Sequence, residues 1–208
     1  MIRGAKSNRA PLAKSIQSIC VFCGSSSGAS PEYAAAAREL GALLAREGIR
    51  VVYGGGHVGM MGHVADAALA AGGHVVGVIP QHLMRPEVAH QRLDELIVVD
   101  SMHTRKRTMA ERADAFVVLP GGFGTFDEMF EMVTWSQLQL HQKPVGLVNC
   151  LGYFDHLLAF LRHAAAEGFI RPQHRGMLLV DATPALLVKR MLELEPGAGE
   201  ADGDLSRS

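Results

Sequence analysis

Five apolar residues, Ala115-Phe116-Val117-Val118-Leu119, run directly into Pro120-Gly121-Gly122-Phe123-Gly124-Thr125, and this junction constrains the fold more than any other stretch. An unbroken apolar run of that length reads as a strand buried on both faces of a parallel sheet. Pro120 cannot donate to the ladder and ends it. Three glycines in the next four positions let the backbone turn sharply and let a ligand approach without side chains in the way. Thr125 is placed to cap a helix, and Phe126, Met129, Phe130 and Val133 then share one helical stripe. Strand, glycine turn and helix start form an anion cradle, because the first N–H groups of a helix lack partners and carry the positive end of its dipole. Phosphate is the guest this suggests.

Strand patterns followed by helical ones recur along the chain. Residues 18–23 (SICVFC) are a first buried strand, ending in Gly24-Ser25-Ser26-Ser27-Gly28; Ser30-Pro31 then starts a helix that stops at Gly48. Val51-Val52-Tyr53 is a second strand. It enters Gly54-Gly55-Gly56-His57-Val58-Gly59-Met60-Met61-Gly62 and a helix over about 61–71. The first turn lacks both G-x-G-x-x-G spacing and a P-loop lysine, and Tyr53 stands where a nicotinamide enzyme would want an acid. A third strand over 74–79, a polar excursion over 80–92, a fourth strand over 96–99 and a helix over 102–112 follow. Beyond the Pro-Gly-Gly strand and its helix (to about 140) come a strand over 144–148, a helix over 153–167, a strand over 177–180 and a helix over 184–194.

Such alternation demands parallel pairing through crossovers. The expected fold is α/β: a single-domain, doubly wound, Rossmann-like and mostly parallel sheet over 18–194, with helices on both faces. A disordered basic arm over 1–17 and a disordered tail over 195–208 should flank it. In such sheets ligands bind outside the strand carboxyl ends. The turns 24–28, 54–62 and 120–125 all lie there and should form one pocket of nucleotide size, although a triple glycine can also serve close helix–strand packing alone.

Glu128 falls in the expected first turn of its helix, where the dipole would keep it ionised and suited to act as a base or to stabilise positive charge. Alternatively, Asp127 and Glu128 merely decorate a helix start. On the 102–112 helix, Arg105 and Arg107 lie roughly 200° apart and cannot serve one site. Arg107 and Glu111, spaced i,i+4, are expected to form a solvated pair. Arg105 and Lys106 could both reach a phosphate, and periodicity does not choose between them.

At 208 residues and 48% hydrophobic content, the chain can bury one good core. Its net charge of −1 provides no drive toward nucleic acid or membrane, and no apolar run approaches a membrane span. No apolar segment follows the basic N-terminus before Ser18, so a signal peptide is not indicated and a cytoplasmic protein is expected. Cys20-Val-Phe-Cys23 spells C-x-x-C, but Cys20 lies inside a strand pattern and no second ligand pair completes a metal site. The ten histidines are scattered. No metal is expected.

PGGFGTFDE (residues 120–128), preceded by Met102-His103-Thr104-Arg105-Lys106, resembles the PGGxGTxxE and MHxRK signatures of the Lonely Guy (LOG) family of cytokinin riboside 5′-monophosphate phosphoribohydrolases. The likeness runs from about Ile19 to Leu192 and includes the family's GGG-x-x-GxMG element at 54–62. It implies a homodimeric enzyme, without cofactor, that releases the base from AMP and N6-substituted AMP such as isopentenyl-AMP. By the same resemblance Arg105 and Glu128 are catalytic and Lys106 binds substrate. Gly121, Gly122, Phe123, Gly124, Thr125, Phe126, Asp127 and Thr134 bind substrate as well; Thr134 lies in the family's I/V-T-W element. Gly24, Ser25, Gly54, Gly55, Gly56, Gly59, Met60 and Met102 complete the expected site. Glu87 joins them, in Met84-Arg85-Pro86-Glu87 where the family more often has M-P-R-E.

The parts suit cleavage of an N-glycosidic bond: a cradle for the 5′-phosphate, a carboxylate for an oxocarbenium-like ribose and its water, and an arginine to orient the substrate. Two competitors are a pyridoxal-dependent lysine decarboxylase, for which only Lys106 of five lysines lies near the motif, and a non-catalytic nucleotide sensor. The helix over 126–140 is apolar on more than one face, so part of it is a candidate dimer surface.

Overall fold

β1 (Ser18–Phe22) is the middle of the sheet and explains its own composition. Ile19 and Val21 point into one hydrophobic core, Cys20 and Phe22 into the other, and all four are buried. A strand covered on both faces needs apolar side chains at every position. Fully burying each valine or isoleucine contributes roughly 1.5–3 kcal/mol.

The computed structural model describes residues 16–85 and 87–194. β1 is followed by α1 (Pro31–Arg46), β2 (Arg50–Tyr53), α2 (Gly59–Ala70), β3 (Val75–Pro80), β4 (Glu95–Val99) and α3 (Met102–Glu111). Then come β5 (Ala115–Val118), α4 (Phe123–Gln137), β6 (Val145–Val148), α5 (Asp155–Ala166), β7 (Leu178–Asp181) and α6 (Pro184–Leu192). The strands pair in the order β4-β3-β2-β1-β5-β6-β7. Every pairing is parallel, with Val21 beside Tyr53 on one side and Phe22 beside Val118 on the other. One core packs residues of α1, α2 and α6 on one face; the other packs α3, α4 and α5 on the opposite face. The doubly wound α/β architecture expected from the alternation is therefore what forms. Because the chain winds outward from β1 to β4 and then returns to β5 beside β1, the strand order reverses between β1 and β5, where such sheets open a crevice at their carboxyl ends.

Several local expectations are corrected. α4 begins at Phe123 with Gly122 as its N-cap, so Thr125 is not the cap; it is a buried residue of the first turn. Glu128 consequently lies in the second turn, beyond the strongest reach of the dipole. The fully buried positions of α4 are Thr125, Glu128, Met129 and Met132; of the expected stripe, Met129 is buried, Phe126 and Val133 pack partly buried against the core, and Phe130 is 37% exposed. Two polar residues, Thr125 and Glu128, share that inward face, which hydrophobicity alone does not mark. α4 ends at Gln137, leaving Leu138 and Leu140 beyond it and exposed, while Trp135 packs on the core.

The basic arm and the tail expected at the two ends lie outside the described residues, except that Gln17 donates its N–H to Asp114 and accepts from the Arg50 N–H. No helix among the described residues is long and apolar enough to cross a membrane.

Candidate active site

The three glycine turns are in contact. The Gly24 N–H donates to the Pro120 carbonyl at 3.1 Å, joining the turn after β1 to the turn after β5. Gly59 holds φ +61, and a Cβ there would lie 2.3 Å from the Ser25 backbone, so the turn after β2 presses against the turn after β1. A left-handed conformation against a neighbouring backbone admits only glycine. The convergence argued from strand ends thus holds in three dimensions.

Gly122 and Gly124 differ from these. Neither has positive φ, and a Cβ on either would meet nothing within 4 Å. Both are exposed, with Phe123 between them 91% exposed. Nothing in the fold requires glycine at these two positions, and both leave the backbone at the start of α4 open to approach. The first intrahelical bond of α4 runs from the Phe126 N–H to the Gly122 carbonyl at 3.0 Å, which leaves the preceding N–H groups of Phe123, Gly124 and Thr125 without helical acceptors. An anion is the natural partner for them.

Arg105 and Glu128 face each other below this cradle. Arg105, on α3, is 8% exposed, and its Nε donates to the Val78 carbonyl on β3 at 3.1 Å. Its Nη1 donates to Glu128 Oε1 at 2.6 Å, and Glu128 is 7% exposed. Gly54 makes room for the guanidinium, since a Cβ there would lie 2.1 Å from Arg105 Nη2. So the triple glycine serves packing at one position, but what it packs is the candidate catalytic arginine. Burial pushes the Glu128 carboxyl above its usual range, while the Arg105 guanidinium pulls the other way. The helix dipole, the reason expected from sequence for an ionised Glu128, is replaced by a buried counter-ion.

Arg107 is exposed while Arg105 is buried, as their angular separation requires. Among the described residues the expected Arg107–Glu111 pair does not form; Arg112 pairs with Glu95 at 3.0 Å instead. Lys106 is 7% exposed, with Nζ 3.0 Å from Asp127 Oδ2 and 3.0 Å from Glu131 Oε2. Burial works against its charge, but Glu131 and Asp127 outweigh that and hold its pKa above the ordinary lysine value.

Of the other expected residues, Ser25 is exposed and Gly24, Gly54, Gly55 and Gly56 line the joined turns. Gly121 packs on Thr125 and Gly24. Phe126 is partly buried against the core. The Met60 side chain is 1% exposed within the core, and its backbone lies in the first turn of α2. Glu87 is exposed in a strap that folds back on the second glycine turn, through His57 N–H to the Val88 carbonyl and His90 N–H to the Gly55 carbonyl, both 2.9 Å. Met102 is 40% exposed at the start of α3. Thr134 is exposed and about 16 Å along the helix axis from the start of α4, so it is not brought to the cradle of its own chain.

Two participants escaped the sequence reading. Glu131 joins Lys106, and its i,i+4 spacing from Asp127 was the available signal. The Tyr153 hydroxyl, just before α5, donates to the Gly121 carbonyl and steadies the turn; nothing in the local sequence marked it.

A family model described as possible lysine decarboxylase matches residues 61–191. A probable cytokinin riboside 5′-monophosphate phosphoribohydrolase of Oryza sativa subsp. japonica is 51% identical over 178 residues, covering 86% of this chain and 78% of that protein. A cytokinin riboside 5′-monophosphate phosphoribohydrolase of Arabidopsis thaliana is 48% identical over 187 residues, covering 90% of this chain and 86% of its own. Among solved structures, the Moco carrier protein of Chlamydomonas reinhardtii superposes with a TM-score of 0.64 at 25% identity, over 84% of this chain and 96% of that one. The molybdenum cofactor binding protein of Rippkaea orientalis does so with 0.64 at 24%, over 84% and 94%. At that identity the likeness is one of fold.

Proposed function

The chain belongs to the LOG family of cytokinin riboside 5′-monophosphate phosphoribohydrolases, and from that premise we propose how its site works and on what. It hydrolyses the N-glycosidic bond of a purine nucleoside 5′-monophosphate, AMP or an N6-substituted AMP. The bond from C1′ to the base breaks with its electron pair leaving on the base. A water oxygen bonds to C1′, and a proton from that water ends on the base, so the products are free base and ribose 5-phosphate. The turn and helix start at 121–125 hold the 5′-phosphate. Glu128 stabilises the cationic ribose and aligns the water, and Arg105 orients the substrate and keeps Glu128 ionised. Gly24, Ser25, the glycines at 54–56 and 59, Glu87 and Met102 surround the nucleoside. The observation that carries this reading is the buried 2.6 Å pair of Arg105 and Glu128 beside three joined glycine turns.

The direct test is release of adenine from AMP by the purified chain, compared with isopentenyl-AMP, GMP and dAMP. No base released from any of the four would overturn it. A sensor would bind AMP without turnover; an arginine-paired carboxylate aimed at the sugar has no purpose there. Lysine decarboxylation through a Schiff base is disfavoured because the Lys106 amine is held protonated between two carboxylates, whereas that chemistry needs a neutral one.

Because the fold does not need glycine at 122 and 124, Gly122→Ala and Gly124→Ala are expected to leave the melting temperature within about a degree and to raise KM for AMP by roughly tenfold or more. Unchanged KM in both would place the phosphate elsewhere.

The homodimer implied by the family is also proposed, with Phe130, Leu138 and Leu140 as exposed apolar residues on or just beyond α4. Thr134, out of reach of its own cradle, would then serve from that surface. A monomer mass by light scattering at micromolar concentration refutes it. A cytoplasmic location accords with three free thiols, Cys20, Cys23 and Cys150, and is checked by fractionation. The net charge of −1 favours neither nucleic acid nor membranes as partners.

A further inference from the structure

Beside the Arg105–Glu128 pair runs a second bridge between the same two helices. Lys106 follows Arg105 on α3, and Asp127 precedes Glu128 on α4; the amine also reaches Glu131, one turn further along. We propose that Lys106, with Asp127 and Glu131, is a positioning clamp that fixes α3 against α4 so that Arg105 meets Glu128, and that it does not touch the substrate phosphate. The kinetic readout of this inference rests on the hydrolase reading above; its geometry does not.

A lysine kept for phosphate would present its amine to the open cradle. Here the amine is buried, donates to Asp127 Oδ2 at 3.0 Å and lies 3.0 Å from Glu131 Oε2 as an ion pair. A slide or rotation of either helix would break both bridges at once. Buried ion pairs are weak sources of net stability, so what such a pair can add is a single geometry. That suits a site where an error of about 1 Å can cost about a hundredfold in rate.

The charges point the same way. Around Glu128, α3 presents Arg105 and Lys106, and α4 itself presents Asp127. β1 presents Cys20 and, just past its end, Cys23, whose thiols burial pushes up and keeps neutral. Lys106 thus balances Asp127, the carboxylate beside Glu128 on its own helix. Without it the Asp127 field would favour the protonated form of Glu128. A carboxylate that must be ionised to act loses activity as pH falls through its pKa, so the acid limb of the rate profile would move to higher pH.

The test compares the full chain with Lys106→Met and Lys106→Arg, measuring AMP affinity by calorimetry, and kcat and KM for adenine release from pH 5 to 9. Lys106→Met is expected to bind AMP within about twofold of wild type while losing roughly ten- to a hundredfold in kcat at neutral pH. Its acid limb should rise by about one pH unit, and Lys106→Arg should recover most of both. A tenfold or greater loss of AMP affinity with an unmoved acid limb would overturn the clamp in favour of phosphate contact. Should Lys106→Met fail to fold, Asp127→Asn with Glu131→Gln decides, because it frees the amine: a reduced kcat at unchanged affinity supports the clamp, and full kcat overturns it. Wild type that binds AMP but releases no base would sink the hydrolase reading alone, and the affinity of Lys106→Met would still decide the clamp.

Discussion

Glu128→Gln is expected to lower kcat for AMP by about a thousandfold, roughly 4 kcal/mol of transition-state stabilisation, with KM changed by less than about threefold. The amide keeps the volume of the side chain, and its oxygen can still accept from Arg105 Nη1 where the carboxylate does at 2.6 Å. What it loses is the negative charge opposite the developing ribosyl cation. Alanine is the poorer test, because it leaves a guanidinium 8% exposed and without its carboxylate, a change that costs about 3–5 kcal/mol of stability. Single-turnover adenine release by a variant with wild-type melting behaviour makes the measurement. A glutamine enzyme within tenfold of wild type would mean that the charge does not act on the sugar and that Glu128 only holds Arg105.

The second large effect comes from a residue with no reactive group. Gly54→Ala places a methyl 2.1 Å from Arg105 Nη2 and 3.1 Å from Met61 Sδ. The guanidinium is the end of a flexible side chain, so it is Arg105 that yields, giving up its bond to Glu128, to the Val78 carbonyl, or to both. Two buried charges are then badly paired. Expected results are a fall in kcat/KM of about 10²–10³-fold and a melting temperature lowered by several degrees. AMP affinity should suffer less than in Gly122→Ala, whose methyl enters the cradle. Full activity in Gly54→Ala would show that Arg105 can work from another rotamer, and the pair described here would lose its mechanistic meaning.

These two positions also show what was legible beforehand. The glycine at 54 could be marked as ligand-facing or as a packing residue, and spacing could not choose. The structure gives it a packing role against Arg105, the arginine proposed to be catalytic. Arg105 and Lys106 were equally eligible for a phosphate, because adjacent residues on a helix are 100° apart and either can turn inward. Both are buried, yet they meet different partners on α4. For Glu128 the ionised state was expected from the helix dipole; the helix starts three residues earlier, and the charge beside the carboxyl is the buried Arg105 guanidinium, which opposes the rise that burial causes. The apolar stripe on α4 left out Thr125 and Glu128 because hydrophobicity is blind to a buried threonine and glutamate.

Sequence alone determined the strands, the order of helices and the three glycine turns at strand ends, because a two-sided parallel sheet writes its strands as unbroken apolar runs and glycine writes its own turns. It also carried the paired motifs, at 102–106 and 120–128, on which the family resemblance rested. Only the tertiary structure decided which charges are buried and with whom. A buried ion pair is made by residues from separate elements, 23 positions apart for Arg105 and Glu128, and the field at a carboxylate depends on every group packed around it. No periodicity along one chain carries that information.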